Sequence, residues 1–441
     1  MSRIIAISGP SGVGKTTISR LLAVILGYKN TSLVSGDDLH RWERKNKNWD
    51  KYTHLDPKAN DLQLGTSHIQ SLKRGISVYR RMYDHFTGKF TEPAIIEPKK
   101  TIIYEGLHAL YGRDIRKLLD LTIFIDTDKE LKREWKIGRD IGKRGYNIEQ
   151  VLKALKRREK DERKFIDPQK KHADVVIKLF KRDGKIVLEY STENNEFVPL
   201  LEELVVLHDK QQQFIACANQ LANSHELVQN KGGNMSYRHR NVMAITQSGL
   251  TFDNVSMTSG YIFVDVETLQ PIFPDSDKPS MESSIHKQMT NCVLHTHPVY
   301  VLCALCAENS RQILDQILTD DIEFVEYYNP GSELSDQFPK GKSIVFAKNH
   351  GLFVSSDSLS ACYDISHRIN RLCKEFFNSL RSSAPRFLFP DAAILEKENK
   401  YLHSYVERVI LESGFVPDYI TKEKIEDLFE LEDEKYRMTV K

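Results

Sequence analysis

Arg3-Ile-Ile-Ala-Ile-Ser-Gly-Pro-Ser-Gly-Val-Gly-Lys-Thr-Thr-Ile18 is the stretch from which the fold is read. Ile4, Ile5, Ala6 and Ile7 make a short unbroken apolar run, the pattern of a strand buried on both faces. Gly9-x-x-x-x-Gly14-Lys15-Thr16 follows, and Ile18, Leu21, Leu22 and Ile25 then recur at helical spacing. Strand, glycine-rich turn and helix, in that order, are the setting of a phosphate-binding P-loop. Each residue type has a reason. Gly12 and Gly14 let backbone N–H groups wrap a polyphosphate such as that of ATP, and the helix N-terminus adds positive potential. Lys15 can reach the β- and γ-phosphates, and the Thr16 hydroxyl can ligate Mg²⁺.

Working outward, Thr31–Ser35, Thr101–Tyr104, Leu121–Ile125 and Val175–Leu179 read as further strands alternating with helical stretches. That alternation predicts a doubly wound, mostly parallel sheet that binds ligands at the carboxyl ends of its strands. Polar residues stand at those ends. Asp37 or Asp38 could deprotonate an acceptor hydroxyl, and His40 and Arg44 could hold the acceptor. One of the two aspartates could instead be a helix N-cap. Glu105 is placed to organise Mg²⁺. Lys132, Lys136, Arg139 and Lys143 fall on one helical face, read either as a solvated surface or as a lid that neutralises phosphate charge.

The whole chain of 441 residues carries a formal charge of +2, from 63 basic and 61 acidic side chains. Residues 1–200 hold 40 Lys/Arg against 27 Asp/Glu, so the remainder is acidic by nearly the same margin. Two units with different partners are expected, with a boundary near Leu200–Asp209. All six cysteines lie after residue 200, too few for a disulfide scaffold. Reduced thiols, no signal peptide and a cytoplasmic setting are expected. No apolar run approaches the ~20 residues of a membrane span. The basic run Lys153–Lys171 is interleaved with acids and lacks spaced aromatics, so no nucleic-acid partner is expected.

The motifs of residues 1 to about 180 resemble the phosphoribulokinase/uridine kinase family. They are the P-loop, Gly36-Asp37-Asp38-Leu39-His40-Arg41, Tyr52-Thr53-His54-Leu55-Asp56-Pro57, Tyr83-Asp84-His85-Phe86-Thr87-Gly88, Tyr104-Glu105-Gly106-Leu107-His108, Arg139-Asp140 and Ile166-Asp167-Pro168-Gln169. The resemblance implies that Asp37 is the base and that His40, Arg44 and His85 contact the sugar. It assigns Glu105 to the metal, and Gly9, Thr17, Lys136, Arg139 and Arg144 to the phosphates. The implied acceptor is a ketose, a sugar phosphate or a nucleoside.

Beyond the boundary, the pattern changes. Gly232-Gly233-Asn234-Met235-Ser236 and Thr246-Gln247-Ser248-Gly249 are polar turns able to offer N–H groups and hydroxyls to a phosphate. Val293-Leu294-His295-Thr296-His297-Pro298 sets two histidines at i and i+2, on one face of a strand. His350, in Asn349-His350-Gly351 after the apolar strand Ser343–Ala347, is available as a third ligand. Three imidazoles with an open position suit catalytic Zn²⁺. Glu282, in Pro279-Ser280-Met281-Glu282, offers a general base. Cys303-x-x-Cys306 reads as core helix. Tyr327 and Tyr328 are proton donors or a buried pair.

These segments resemble the class II aldolase/adducin family over residues 208–380. The resemblance implies that His295, His297 and His350 bind Zn²⁺ and that Glu282 moves the proton. It also implies that Asn234, Ser248, Gly249 and Ser280 hold a sugar phosphate, and that the chain is a homo-oligomer, tetramers being common. Met281 departs from the family's small hydroxyl residue. Relatives with this metal site include epimerases, decarboxylases and dehydratases, and adducin-like members serve as scaffolds.

The expectation is an α/β chain in three parts. Residues 1–205 form a P-loop kinase unit with a mostly parallel sheet. Residues 206–385 form an aldolase-like unit with a central antiparallel sheet. Residues 386–441 form a tail of solvated capping or dimerising helices, Ala392–Glu412 and Thr421–Arg437. The expected function is ATP-dependent phosphorylation of a ketose or sugar phosphate, joined to Zn²⁺-dependent cleavage of a ketose 1-phosphate. The alternatives are another reaction at the metal site, or a non-catalytic oligomerisation module.

Overall fold

The computed structural model describes residues 1–84, 87–142, 147–274, 277–319, 321–380 and 396–431. The chain divides into two compact units, Met1–Asp209 and Lys210–Lys441.

In the first unit the apolar run becomes β1 (Arg3–Ser8), with Ile4, Ile5, Ala6 and Ile7 wholly buried. It is followed by α1 (Lys15–Ile25), β2 (Thr31–Ser35), β3 (Thr101–Glu105) and β4 (Leu121–Thr127). Next come α2 (Lys129–Gly142), α3 (Ile148–Asp161), β5 (Val175–Arg182) and β6 (Lys185–Thr192). The sheet order is β6-β5-β4-β1-β3-β2, parallel throughout except for the β5–β6 hairpin at the edge. The central position of β1 explains its unbroken apolar sequence, since neither face meets water. α1 buries Ile18, Leu21, Leu22 and Ile25 beneath the loop that precedes it.

A long helix, α4 (Val198–Ala222), includes the position at which the two units divide. The second unit is a seven-stranded sheet. Its strands are β7 (Asn234–His239), β8 (Val242–Thr246), β9 (Tyr261–Asp265), β10 (Cys292–Thr296), β11 (Glu323–Val325), β12 (Ile344–Ala347) and β13 (Gly351–Ser356). They run in the order β9-β8-β7-β10-β13-β12-β11, antiparallel except for the parallel β11–β12 edge pair. Against one end packs a cluster of Ile285, Met289, Val293, Phe338, Val345 and Phe353.

The tail is less solvated than its charge suggested. Helices run over Glu396–Glu412 and Lys422–Glu430, and Val406, Val409, Ile410 and Leu428 are buried. Residues 392–395 and 432–437 of the expected helices lie outside the described residues. All six cysteines are buried and free, Cys303 and Cys306 within apolar core as expected. Burial pushes the thiols of Cys217 and Cys373 up to about 12. No helix among the described residues is long and apolar enough to cross a membrane.

Two candidate active sites

The first site forms at the carboxyl edge of the parallel sheet. Glu105, the last residue of β3, pairs with Ile7 of β1 on one side and Ser35 of β2 on the other. The turn after β1, the turn after β2 and the Glu105 carboxylate therefore come together. Gly9 has φ 150°, and a Cβ there would sit 2.7 Å from the Ile125 carbonyl, so only glycine lets the loop leave the sheet this closely. Lys15 Nζ donates to the carbonyls of Gly9 and Pro10 at 2.9 and 2.8 Å. Thr16 Oγ1 donates to Glu105 at 3.0 Å. Burial pushes the Glu105 carboxyl up to about 7, opposed by the Lys15 charge and reinforced by Asp37. Burial lowers Lys15, while Asp37 and Glu105 pull it back. Lys15, Asp37 and Glu105 thus form one electrostatic group.

The two aspartates part company here. Asp38 makes a buried ion pair with Arg80 at 3.1 Å and accepts from the Tyr83 N–H at 2.7 Å. It ties the segment around Tyr83 to the turn after β2. Asp37 is left half-buried beside Lys15 and Glu105. Neither aspartate is the N-cap: that position is Gly36, and no side chain caps the short turn Asp37–Leu39. His40 lies 2.8 Å from Asn60 Oδ1 through Nδ1, and Asn60 Nδ2 donates to the carbonyls of His54 and Asp56. The amide is therefore oriented with its oxygen toward His40, whose Nδ1 carries the proton. Its ring stands edge-on to Tyr83 and Trp49. Arg44 packs against Gly88, to whose carbonyl its N–H donates at 2.7 Å.

The helix α2 lies over the P-loop. A Cβ on Gly12 would be 3.3 Å from Lys136 Cβ, and one on Gly14 would be 3.5 Å from the Trp135 ring. Lys136 is only 3% exposed, so the reading of this face as a solvated surface fails at its centre. Burial, then Arg158 and Arg139, push its ammonium well below the ordinary value. Lys132 is ion-paired with Glu162, and Arg139 Nε donates to Asp140 at 3.0 Å. Thr17 is buried in the first turn of α1. His85, Lys143 and Arg144 lie outside the described residues. One structural residue received no role from the sequence. Gln169, 2% exposed, accepts from Ser8 Oγ and the Leu110 N–H and donates to the carbonyls of Leu107 and Phe165. It locks the loop after Glu105 to the end of β1.

In the second unit the three candidate metal ligands gather at two neighbouring strands: His295 lies in β10, His297 one residue past its end, and His350 one residue before β13. His295 pairs with Asn234 of β7 on one side and Phe353 of β13 on the other. Its Nδ1 donates to the Leu352 carbonyl at 3.1 Å, which leaves Nε2 with its lone pair, and its ring stacks on Phe353 at 3.9 Å. His297 Nε2 and His350 Nε2 lie 2.9 and 3.1 Å from His295 Nε2. A ligand atom from each of the three lies within 4.8 Å of the others, and all three residues are buried. Gly351 makes this convergence possible. A Cβ there would lie 2.6 Å from the Thr296 carbonyl and under 3 Å from ring atoms of His297 and His295. Three imidazole nitrogens closing on one point are the donor set of a tetrahedral Zn²⁺ site with one position open.

Glu282 joins them. Its carboxylate is 2.8 Å from His350 Nε2 and 3.4 Å from His295 Nε2, and it accepts from Asn234 Nδ2 at 2.6 Å. Burial alone would raise this carboxyl, but His295, His350 and the Asn234 amide hold it far below the carboxylate range. Behind Asn234 stands a residue to which the sequence reading assigned no role. His286 Nε2 is 2.6 Å from Asn234 Oδ1, and its Nδ1 is 2.7 Å from Ser236 Oγ. Asn234 donates to Glu282, so its oxygen must accept from His286, which in turn accepts from Ser236. Ser236, His286, Asn234 and Glu282 form one buried, directional chain. Ser248, Gly249 and Ser280 line the same pocket, together with Lys231 and Met281. Tyr327 and Tyr328 are half-buried and stand apart from its lining, the Tyr327 hydroxyl donating to Asn329 at 3.1 Å.

Comparison with known proteins gives two matches along the chain. The model of the Phosphoribulokinase / Uridine kinase family matches residues 4–183, and that of the Class II Aldolase and Adducin N-terminal domain matches residues 212–377. A phosphoribulokinase of Synechocystis sp. is 38% identical over 176 residues, 40% of this chain and 53% of that protein. A uridine kinase of Macrococcus caseolyticus is 35% identical over 184 residues, 40% of this chain and 86% of that protein. The chain thus spans about half the length of the phosphoribulokinases it matches. Among solved structures, L-fuculose 1-phosphate aldolase aligns at 18% identity with a TM-score of 0.33, over 52% of this chain and 96% of the other.

Proposed function

The chain belongs to the phosphoribulokinase/uridine kinase family through residues 4–183 and carries a class II aldolase and adducin domain at 212–377, and from this premise we propose a bifunctional sugar-metabolising enzyme. The first unit transfers the γ-phosphoryl group of ATP to a hydroxyl of a ketose or sugar phosphate. The second cleaves a ketose 1-phosphate to dihydroxyacetone phosphate and an aldehyde. The observation that carries the reading is the meeting of Glu282 with His295 and His350 in a buried cluster. A scaffold module has no use for a buried carboxylate wired to two of three converging imidazoles.

In the kinase unit, Asp37 takes the acceptor proton as the hydroxyl oxygen attacks the γ-phosphorus and the bond to ADP breaks. Lys15 and Arg139 neutralise the transferring charge, and His40 and Arg44 seat the acceptor. Thr16 and Glu105 would hold Mg²⁺, which would supply charge neutralisation at the phosphates. In the lyase unit, His295, His297 and His350 would hold Zn²⁺, which would supply Lewis-acid stabilisation of negative charge on the substrate. Glu282, ionised and aimed by Asn234, moves the proton. Ser248, Gly249 and Ser280 hold the phosphate. A kinase acting at O1 of a 2-ketose makes the substrate type that such a lyase consumes. Buried free thiols fit a reducing, cytoplasmic setting, and the assembly follows the homo-oligomers of the family.

The test is a panel of ketoses and ketose phosphates incubated with ATP, Mg²⁺ and Zn²⁺ and followed by mass spectrometry. A phosphorylated product that then splits into dihydroxyacetone phosphate and an aldehyde is expected. A product isomeric with the phosphorylated sugar would overturn cleavage, and absence of any ATP-dependent product would overturn the kinase.

A further inference from the structure

The tail beyond residue 395 reaches the metal centre's supporting structure at two places. Its first helix, Glu396–Glu412, packs on the helix Val299–Leu305, which begins two residues after His297. Tyr405 and Tyr300 join their hydroxyls across that contact at 2.8 Å. The chain then turns, and Val416 to Asp418 run alongside the residues that follow Val299–Leu305. The Val416 carbonyl accepts from the Glu308 N–H at 2.9 Å, Pro417 bridges Ala307, and the Asp418 N–H donates to the Cys306 carbonyl at 2.7 Å.

From this position Asp418 grips the loop that carries His350. Asn349 Nδ2 donates to the Asp418 carbonyl at 2.7 Å, and Lys348 Nζ pairs with the Asp418 carboxylate at 2.7 Å. Asn349 has φ 53°, a left-handed turn that asparagine adopts more readily than most residues other than glycine. Two further contacts hold the brace itself. Tyr419 donates to the wholly buried Glu407 at 2.9 Å, and Lys424 pairs with Glu333 at 2.8 Å.

We propose that Asp418 and the tail around it are positioning elements of the metal centre, fixing the Lys348-Asn349-His350 loop so that the third imidazole is preset for the cation. This rests on the reading of His295, His297 and His350 as ligands. Without the brace, the loop must be ordered at the moment of metal binding, and affinity falls by that ordering cost. His295, held by strand pairing, keeps its place, and His297 follows directly on that strand.

The experiment uses the full chain and Zn²⁺ in competition with a chromophoric chelator. The variants are Asp418→Ala, Asn349→Gly and the two combined. Glycine at 349 keeps the left-handed turn while removing the amide contact. Zinc binding at one per chain with Kd raised ~10–100-fold in the double variant is expected, with each single variant intermediate. Phosphorylation by the kinase unit, unchanged in the same samples, reports that the chain is folded. Wild-type binding of one zinc with unaltered affinity in the double variant would overturn the brace while leaving the metal site standing. Absence of wild-type binding would overturn the metal reading and the brace with it.

Discussion

The two candidate sites are built for charged ligands from different materials. At the first, the ligand-facing surface is mostly backbone: a glycine-rich turn, a helix N-terminus, and a few side chains on strand ends. Thr16 is exposed, and the turn around it is one short stretch of sequence, met by Glu105 from a neighbouring strand end. At the second, the working atoms belong to side chains, nearly all buried and bonded to one another before any ligand arrives. His295, Glu282, Asn234 and His286 each have defined partners. A backbone cradle tolerates loss of many side chains but depends on its glycines and one lysine. A side-chain cluster fails at any of several points, including points that never touch substrate.

The comparison is broken most directly by crossing the two sites. Lys15→Ala should lower phosphoryl transfer by ~100-fold or more while one zinc per chain remains. His295→Ala should abolish stoichiometric zinc, measured by elemental analysis, and leave ATP turnover with the acceptor intact. Loss of both functions from either substitution would mean that the sites are not independent. A smaller effect sharpens the contrast in wiring. His286→Phe removes the donor that orients Asn234, and kcat for cleavage should fall ~10-fold with zinc content unchanged. An unchanged kcat would show that Glu282 needs no aiming.

The smallest effect concerns a buried polar group outside both sites. His208 on α4 is fully buried, and among the described residues neither ring nitrogen has a hydrogen-bond partner; Asp209 is 3.9 Å away. Burial pushes its pKa down to about 4. The unfolded chain takes up a proton near pH 6.5 and the folded chain resists until about pH 4. Stability present above pH 6.5 is therefore lost progressively as pH falls toward 4. His208→Leu should raise Tm, and raise it more at pH 5 than at pH 7.5. An equal gain at both would mean that the ring does not titrate in this window.

What could be read from the sequence follows the same division. The P-loop announces itself because its chemistry needs adjacent residues, and β1 because a central parallel strand is apolar on both faces. His295 and His297 were legible as candidate ligands because a strand returns to one face every second residue, although His297 falls one residue past the end of β10. His286 was not, because a histidine among apolar neighbours gives no sign of which buried amide it orients. Asp37 and Asp38 stand side by side, and the residues alone do not separate them; the family resemblance favours Asp37 as the base. Arg80, 42 positions beyond Asp38, holds Asp38 in a buried ion pair that the local sequence does not announce. The tail read as an acidic solvated helix because its contacts with Lys348 and Asn349 run through one aspartate and a carbonyl, and carbonyls leave no trace in composition.

The sealed thiols have a practical consequence. With all six cysteines in the interior, the native chain offers no ready sulfur to maleimides or iodoacetamides. A cysteine introduced on the surface would be the group such reagents label. Paired dyes placed on α2 and on the P-loop unit's sheet edge could then report distance changes during turnover, with the natural sequence as its own silent background.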